Sequence, residues 1–495
     1  MNKLILLVLI GITGISYSQS NLIWSEDFEV DNEHYFSDFP TIQHNSDTLM
    51  VVGTTNTMNG QRLQVINYDL LGDTLSTQIY GNDSVFNNLL IDYIIDGSDN
   101  IYILQKEEIS FNKHKLVLQK YALDGSLIWV EQIQDAADTS FVPLSLGLSN
   151  DTCLFITAYK EYNYQQNPTD VTTSIYLSYL YAFNSDGNQL WQREFDPNDE
   201  VNWFVHDIFI HENTAFLFVN NYTASHSLIK VDVNNTLTTN LNTGLENGFN
   251  DVQLTPDNKL LILSGTKYRI SKADLNGTLI WTKYYGTNLP SNVTGDEFKA
   301  AIQDADGNIY VTGRHYGDDY GTASYSNADI LTIKYDSSGT IIWENRFEYG
   351  INNADIGNAI TLKLGNVYVG GQSQGNGIGS NYDYIVLQMD SAIGDLTGGY
   401  LYNGPNNDED IVSSLVVLAN GDIALAGLSS VNQYYDWTTQ LIGNLTVDVV
   451  ELNNPSKKEV VKIVDLLGRE TKYTPNQTLL YIYDDGTTEK VFRVD

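Results

Sequence analysis

Several residue sets in this chain have the types and spacing to do chemistry. Gly371-Gln372-Ser373-Gln374-Gly375 spells G-x-S-x-G, the turn that presents a serine nucleophile where a strand runs into a helix. The residues after Gly375 lead into another strand pattern, so no elbow is expected here. Asp304-x-Asp306-x-Asn308 copies the start of a calcium loop. The position that should supply a bidentate glutamate is His315, and Gly307 falls one step late, so a hairpin turn is the expected reading. The seven histidines (34, 44, 114, 206, 211, 226 and 315) show no zinc spacing. Glycines 375, 377 and 379 precede no helix and so build no phosphate cradle. Cys153 is followed by Leu154 and Phe155, which predicts a buried, inert thiol, and one cysteine excludes an intrachain disulfide. No catalytic residue and no cofactor-binding residue is assigned from these sets.

What remains is surface recognition. Tyrosine and aspartate gather in 159–173, 314–329 and 371–383. Tyr316, Asp318, Asp319, Tyr320, Tyr325, Tyr382 and Asp383 are the candidate ligand residues. Tyrosine rings offer flat faces to sugars, and clustered carboxylates offer hard oxygens that suit Ca2+, the one cofactor these residue types would take. The chain carries 26 basic and 62 acidic residues, a net charge of −36. That field repels nucleic acid and anionic membrane surfaces.

The elements that must position such loops are written as a repeat. The phrase "YDSSGTIIW" (335–343) recurs as "YALDGSLIW" (121–129), "FNSDGNQLW" (183–191) and "ADLNGTLIW" (273–281). Gly72, Gly125, Gly187, Asn235, Gly277, Gly339 and Gly394 mark successive copies, 53, 62, 48, 42, 62 and 55 residues apart. Trp129, Trp191, Trp281 and Trp343 each stand four residues beyond their marker. A second element, a short alternating strand, occurs eight times: 48–53, 100–105, 153–158, 215–220, 259–265, 308–313, 366–371 and 422–427. Several copies enter from Asp/Asn/Gly turns. Four strands per unit of 40–60 residues, in series, predict a β-propeller. The eighth unit stops at Gly443 after its third strand, and residues 22–28, "LIWSEDF", form a strand with no unit of their own. Pairing 22–28 with 437–442 would close the ring and remove two open edges. The fold expected is therefore all-β: an eight-bladed propeller closed by an N-terminal strand, with Trp24 and the other tryptophans as structural packing residues. Long loops would emerge on one face and short turns on the other.

The two ends carry addresses. Lys3, the apolar run 4–15 and Ser16-Tyr17-Ser18 read as a signal peptide over 1–18, with Gln19 the first mature residue. That run is too short to span a bilayer comfortably, and no later stretch approaches the roughly 20 apolar residues a span needs. The propeller is assigned to 19–446 and a separate tail to 447–495. The tail holds 7 basic and 9 acidic residues, so its net is −2 against −34 for the rest. Its alternating strands suggest a small β-sandwich.

Two resemblances follow from these residues. "AIQDADGNIYVTGR…ADILTIKYDSSGTIIWENRFEYG" (301–350), with weaker copies over 22–444, resembles the SBBP-type β-propeller repeats of bacterial surface proteins. "VVKIVDLLGRETKYTPNQTLLYIYDDGTTEKVFRV" (460–494) resembles the C-terminal sorting domain of type IX secretion cargo, on Asp465, Gly468 and Arg469 above all, although the usual opening is degenerate in 451–456. The second resemblance implies passage through the periplasm, the type IX machinery as partner, and secretion or display on the outer cell surface. A non-enzymatic binding or adhesion module for glycan or protein is the leading functional expectation. The alternative is an enzyme on the same scaffold: the G-x-L-I-W phrase also resembles the repeats of quinoprotein dehydrogenases, and a polysaccharide hydrolase or lyase using paired carboxylates stays open.

Overall fold

The structure is a computed structural model. It describes residues 22–28, 39–45, 47–57, 60–81, 88–110, 113–134, 140–150, 152–164, 173–195, 204–220, 225–246, 249–264, 269–285, 297–316, 328–349, 353–374, 381–404, 409–431 and 434–445, and in the tail 460–464, 471, 478–483 and 488–492. Two compact units emerge, one covering Ser18–Leu445 and the other including Thr446–Asp495. Among the described residues no helix is long and apolar enough to cross a membrane.

The first unit is an eight-bladed β-propeller, each blade a four-stranded antiparallel sheet in simple up-and-down order. Blades 1 to 7 cover 41–80, 89–133, 140–195, 204–246, 249–284, 297–347 and 355–402. Blade 8 takes three strands from 410–442 and its fourth from Leu22–Phe28. That strand runs antiparallel to Tyr434–Ile442, with Trp24 opposite Leu441, Ser25 opposite Gln440 and Phe28 opposite Trp437. All eight short alternating elements are the second strand of a blade. The described part of the tail is a three-stranded antiparallel sheet of Val460–Val464, Thr478–Tyr483 and Thr488–Phe492.

The hairpin phrase has a physical reason. The turn between third and fourth strands puts its marker residue at positive φ: 95° at Gly72, 89° at Gly187, 78° at Gly339, 80° at Gly394 and 64° at Asn235. Glycine and asparagine tolerate that region best. The glycine also makes room for a neighbour. An added Cβ would sit 2.9 Å from the Trp24 ring at Gly72, 2.9 Å from Trp129 at Gly187 and 2.6 Å from Trp343 at Gly394. Each tryptophan therefore packs on the marker of the following blade, not on its own. The indole N–H completes the contact by donating to a carbonyl in that blade's turn: Trp24 to Leu70 (3.2 Å), Trp129 to Ser185 (3.1 Å), Trp191 to Val233 (2.8 Å), Trp281 to Ser337 (3.0 Å) and Trp343 to Ser391 (3.1 Å). Lys334 donates to the same Ser391 carbonyl at 2.8 Å. Between blades 7 and 8 the tryptophan position is Gly398, and Leu445, buried, lies against it instead.

An inner ring of ties matches the outer one. In seven blades a β-bulge interrupts the first strand, as between Leu90 and Asp92, Gly357 and Ala359, and Val412 and Ser414. Bulges re-aim side chains, and here polar ones reach the adjacent blade. Asp92 accepts from Leu146 N (2.8 Å), Asn358 donates to Val412 O (3.2 Å), and Ser413 donates to Pro40 O (2.5 Å). Buried aliphatic and aromatic clusters fill the space between blades; one joins Ile42, Val51 and Tyr68 of blade 1 to Ala426 and Trp437 of blade 8.

Trp343 is 8% exposed while its neighbour Ile342 is 47% exposed. Trp343→Ala is expected to lower unfolding free energy by about 3–5 kcal/mol, and Ile342→Ala by about 0.5 kcal/mol or less, as read from urea melts.

Candidate functional site

The ends of the blades that carry the second-to-third-strand and blade-to-blade connections gather charged and aromatic groups at blades 6 to 8. Several of the stretches expected as loops are in part strand. Tyr159–Tyr164 extends the strand Cys153–Tyr164, Arg314 and His315 end Ile309–His315, and Tyr382 and Asp383 open Tyr382–Asp390. The ends of these strands pair across the sheet past the point where turn-forming residues predicted a break.

Three buried aspartates organise this face. Asp355 opens the first strand of blade 7 and is fully buried. Its Oδ1 accepts from Ser373 Oγ at 2.5 Å and its Oδ2 from Tyr349 N at 2.7 Å. Asp410 repeats the arrangement in blade 8, accepting from Ser429 Oγ (2.5 Å) and Gly404 N (2.6 Å). In both blades the serine lies opposite the aspartate on one side and a second aspartate on the other: Asp355–Ser373–Asp383 and Asp410–Ser429–Asp436. Each buried carboxylate thus fastens the connection that enters its blade. Asp329, at the head of the third strand of blade 6, is also buried and pairs with Arg346.

Electrostatics follow from burial. Desolvation, with Asp329 and Glu348 nearby, pushes the Asp355 carboxyl up to about 7 in spite of the bonds from Ser373 and Tyr349. Burial and the charge of Asp410 push Asp383 up to about 7. Burial also raises Asp329, and Arg346 opposes that rise. The Tyr382 hydroxyl is raised by burial and by Glu409 and Tyr316 close to it. Arg314 is held by Glu297 at 3.2 Å and lies over the Tyr316 ring, 5.9 Å from its centre. Chemically, the face offers two carboxyls that exchange protons near neutrality and half-buried tyrosine rings that can meet a hydroxylated ligand.

Of the candidate ligand residues, Tyr316, Tyr382 and Asp383 come together here. Asp318, Asp319, Tyr320 and Tyr325 lie outside the described residues, as do Asp465, Gly468 and Arg469 of the tail. Ser373 sits in the strand Asn366–Gln374, buried and donating to Asp355, and the next described element is the strand Tyr382–Asp390, so Ser373 is not presented as a nucleophile elbow presents its serine. Asp304 is a turn anchor: its carboxylate accepts from Asp306 N, Asn308 N, Asn308 Nδ2 and the Tyr310 hydroxyl. Among the described residues no group of three or more His, Cys, Asp or Glu side chains is placed to hold a metal ion. Cys153 is buried, which pushes its thiol up to about 11. Sequence reasoning missed Asp329, Asp355 and Asp410. Their signal was an aspartate closing each of the connections 349–355 and 404–410, one strand before a serine.

No family model and no curated protein matches the chain. Among solved structures the chain is similar to a protein of unknown function from Bacteroides caccae (12% identity, 61% of this chain and 94% of that one, TM-score 0.32). It is also similar to puromycin hydrolase (12% identity, 90% of this chain, TM-score 0.40), of which it spans 58%. A third is virginiamycin B lyase from Staphylococcus aureus (11% identity, 71% of this chain and 94% of that one, TM-score 0.36). Likenesses this distant assign no activity; the propeller rests on the strand order of the chain itself.

Asp355 and Asp383 stand above the ordinary 3.8, so folding takes up protons there and stability falls as pH rises from about 4 toward about 7. Asp96 and Asp257 are lowered and act in the opposite sense, losing their contribution as pH falls through the acid range. Asp383→Asn is expected to stabilise the protein at pH 8 by about 1–2 kcal/mol, discounted for its partial exposure. At pH 5 it should change little. Thermal melts at the two pH values measure the difference.

Proposed function

We propose that this chain is an exported, non-enzymatic binding propeller that presents the face at blades 6 to 8 to a glycan or protein ligand. The observation that carries the reading is the fate of the chemistry-bearing side chains there. Ser373 points into Asp355, Asp410 is tied to Ser429 and Gly404, and Asp329 to Arg346. Reactive groups are spent on holding the face in shape, and tyrosines and Asp383 are left at its surface. A net charge of −36 argues for a neutral or basic ligand. The leader over 1–18 and the tail over 447–495 support export through the type IX machinery by their sequence resemblance. SBBP-type repeats fit the blade phrase for the same reason.

A second reading, an acid–base hydrolase or lyase, is favoured by one observation: Asp355 and Asp383 both titrate near neutrality.

Glycan-array and cell-surface binding by the purified protein decide between them. The binding reading expects saturable capture that Tyr382→Ala weakens at least tenfold, with no chain cleavage of the captured polymer. Polysaccharide turnover abolished by Asp383→Asn would replace it with the enzymatic reading. Retention in the periplasm of a chain ending at residue 446 is the outcome expected for the tail.

A further inference from the structure

We propose that Asp383 takes the guanidinium of an arginine side chain from a partner protein, the group that Arg346 supplies to the equivalent aspartate in blade 6. The strand register makes the two positions equivalent. In blade 6, Asp329 lies opposite His315 on the second strand, and two residues on, Leu331 lies opposite Arg346 on the fourth. In blade 7, Asp383 lies opposite Ser373, and two residues on, Ile385 lies opposite Leu401. Arg346 and Leu401 each stand seven residues beyond the hairpin glycine of their blade, Gly339 and Gly394. Arg346 Nε donates to Asp329 Oδ2, and that carboxylate is 3% exposed while the arginine side chain is 49% exposed. A guanidinium therefore reaches this position from the solvent side, and its planar fork suits a carboxylate.

Blade 7 has the aspartate but not the arginine. Ser373 does not replace it, because its hydroxyl is committed to Asp355. Among the described residues Asp383 has no hydrogen-bond donor and no ion-pair partner, and the charge it feels is that of Asp410, which repels it. Asp383 is half-buried, so its carboxylate carries a desolvation cost that a cation from outside offsets. Tyr349 lies close enough to sense the charge of Asp383, and its hydroxyl offers a further acceptor for a guanidinium N–H. Among the described residues no group of three or more His, Cys, Asp or Glu side chains is placed for a metal ion, whereas one carboxylate suffices for a guanidinium. A protein is favoured over an amino sugar because a guanidinium is what the fold already seats at this position. The net charge of −36 draws basic partners to it. The inference rests on the reading of this face as a binding surface and narrows its ligand to a basic protein.

Isothermal titration of the full chain at pH 8 and near-physiological salt, with an arginine-bearing peptide and its citrulline counterpart, tests this. Citrulline keeps the shape of arginine and loses the charge. The arginine peptide should bind about tenfold or more tighter than the citrulline peptide, and Asp383→Asn should remove that preference. Asp186→Asn deletes an exposed acid in a turn of blade 3, changes the net charge equally and should leave the preference in place. Leu401→Arg should restore the blade 6 arrangement, block the peptide and raise the melting temperature. Leu401→Gln, polar and uncharged, should do neither. Equal binding of the two peptides overturns the inference. So does a preference that Asp186→Asn removes as fully as Asp383→Asn, or one that survives Leu401→Arg in a folded protein. A glucosamine oligomer bound through Asp383 by a protein that ignores the arginine peptide also overturns it and assigns the position to amino sugars. Glycan or cell-surface capture that depends on Tyr382, again with no response to the arginine peptide, overturns this inference alone and leaves the binding reading standing.

Discussion

A ring of sheets is only as good as its last ladder, and here that ladder joins the two ends of a long chain. Leu22–Phe28 pairs with Tyr434–Ile442. Closing a loop of several hundred residues costs on the order of 5 kcal/mol in chain entropy. The seam offsets it with a row of main-chain bonds and with burial at about 1.5–3 kcal/mol per large apolar side chain. Ile442 and Trp437 are buried there, and Leu22 packs against the same cluster as Ile442. The same strand brings Trp24 to Leu70 and Gly72, so one short segment closes blade 8 and also binds it to blade 1. Without it, blade 8 would expose an edge and blade 1 would lose an indole.

Two rings of contacts then make neighbouring blades cooperative. The outer one uses an indole, a carbonyl and a residue at positive φ; the inner one uses polar side chains aimed by bulges. Because each tie links one blade to the next, a rigid scaffold results from repeated local rules. On that scaffold the described ends of the connections entering blades 7 and 8 are fastened by carboxylates, Asp355 to Tyr349 N and Asp410 to Gly404 N. That choice brings sensitivity to pH, since a buried carboxylate holds its donors at a desolvation cost that a buried leucine does not carry.

Much of this was legible in the sequence. The eight alternating strands, the marker residues and the orphan strand all come from patterns whose period the backbone enforces. Positive φ leaves glycine or asparagine, an edge needs a partner, and a strand alternates. The partner of each tryptophan was not legible. Its fixed offset from a glycine in the same hairpin hides a contact with a glycine 48 to 58 residues beyond the tryptophan, from Trp24–Gly72 to Trp129–Gly187. The carboxylate site was only half visible. Tyr382 and Asp383 stood out as loop residues, yet both begin a strand. Asp355 and Asp410 are not singled out by the sequence because burial, the property that makes them unusual, comes from tertiary packing and leaves no mark on residue spacing. Leu445 against Gly398 is a third case, since a glycine at a tryptophan position reads as a gap until its tertiary neighbour is known.

The direct test of closure is a cross-link at the seam. Ser25 and Gln440 face each other across the ladder, and cross-strand Cα separations of about 4.5–5.5 Å suit a disulfide. Cys153, buried in another blade, stays out of the reaction. Mild oxidation of the Ser25→Cys/Gln440→Cys protein is predicted to form one intramolecular disulfide, seen as a linked peptide pair by mass spectrometry and as a raised melting temperature. Two thiols that stay free under the same oxidation, in a protein that remains folded, would contradict the closed ring.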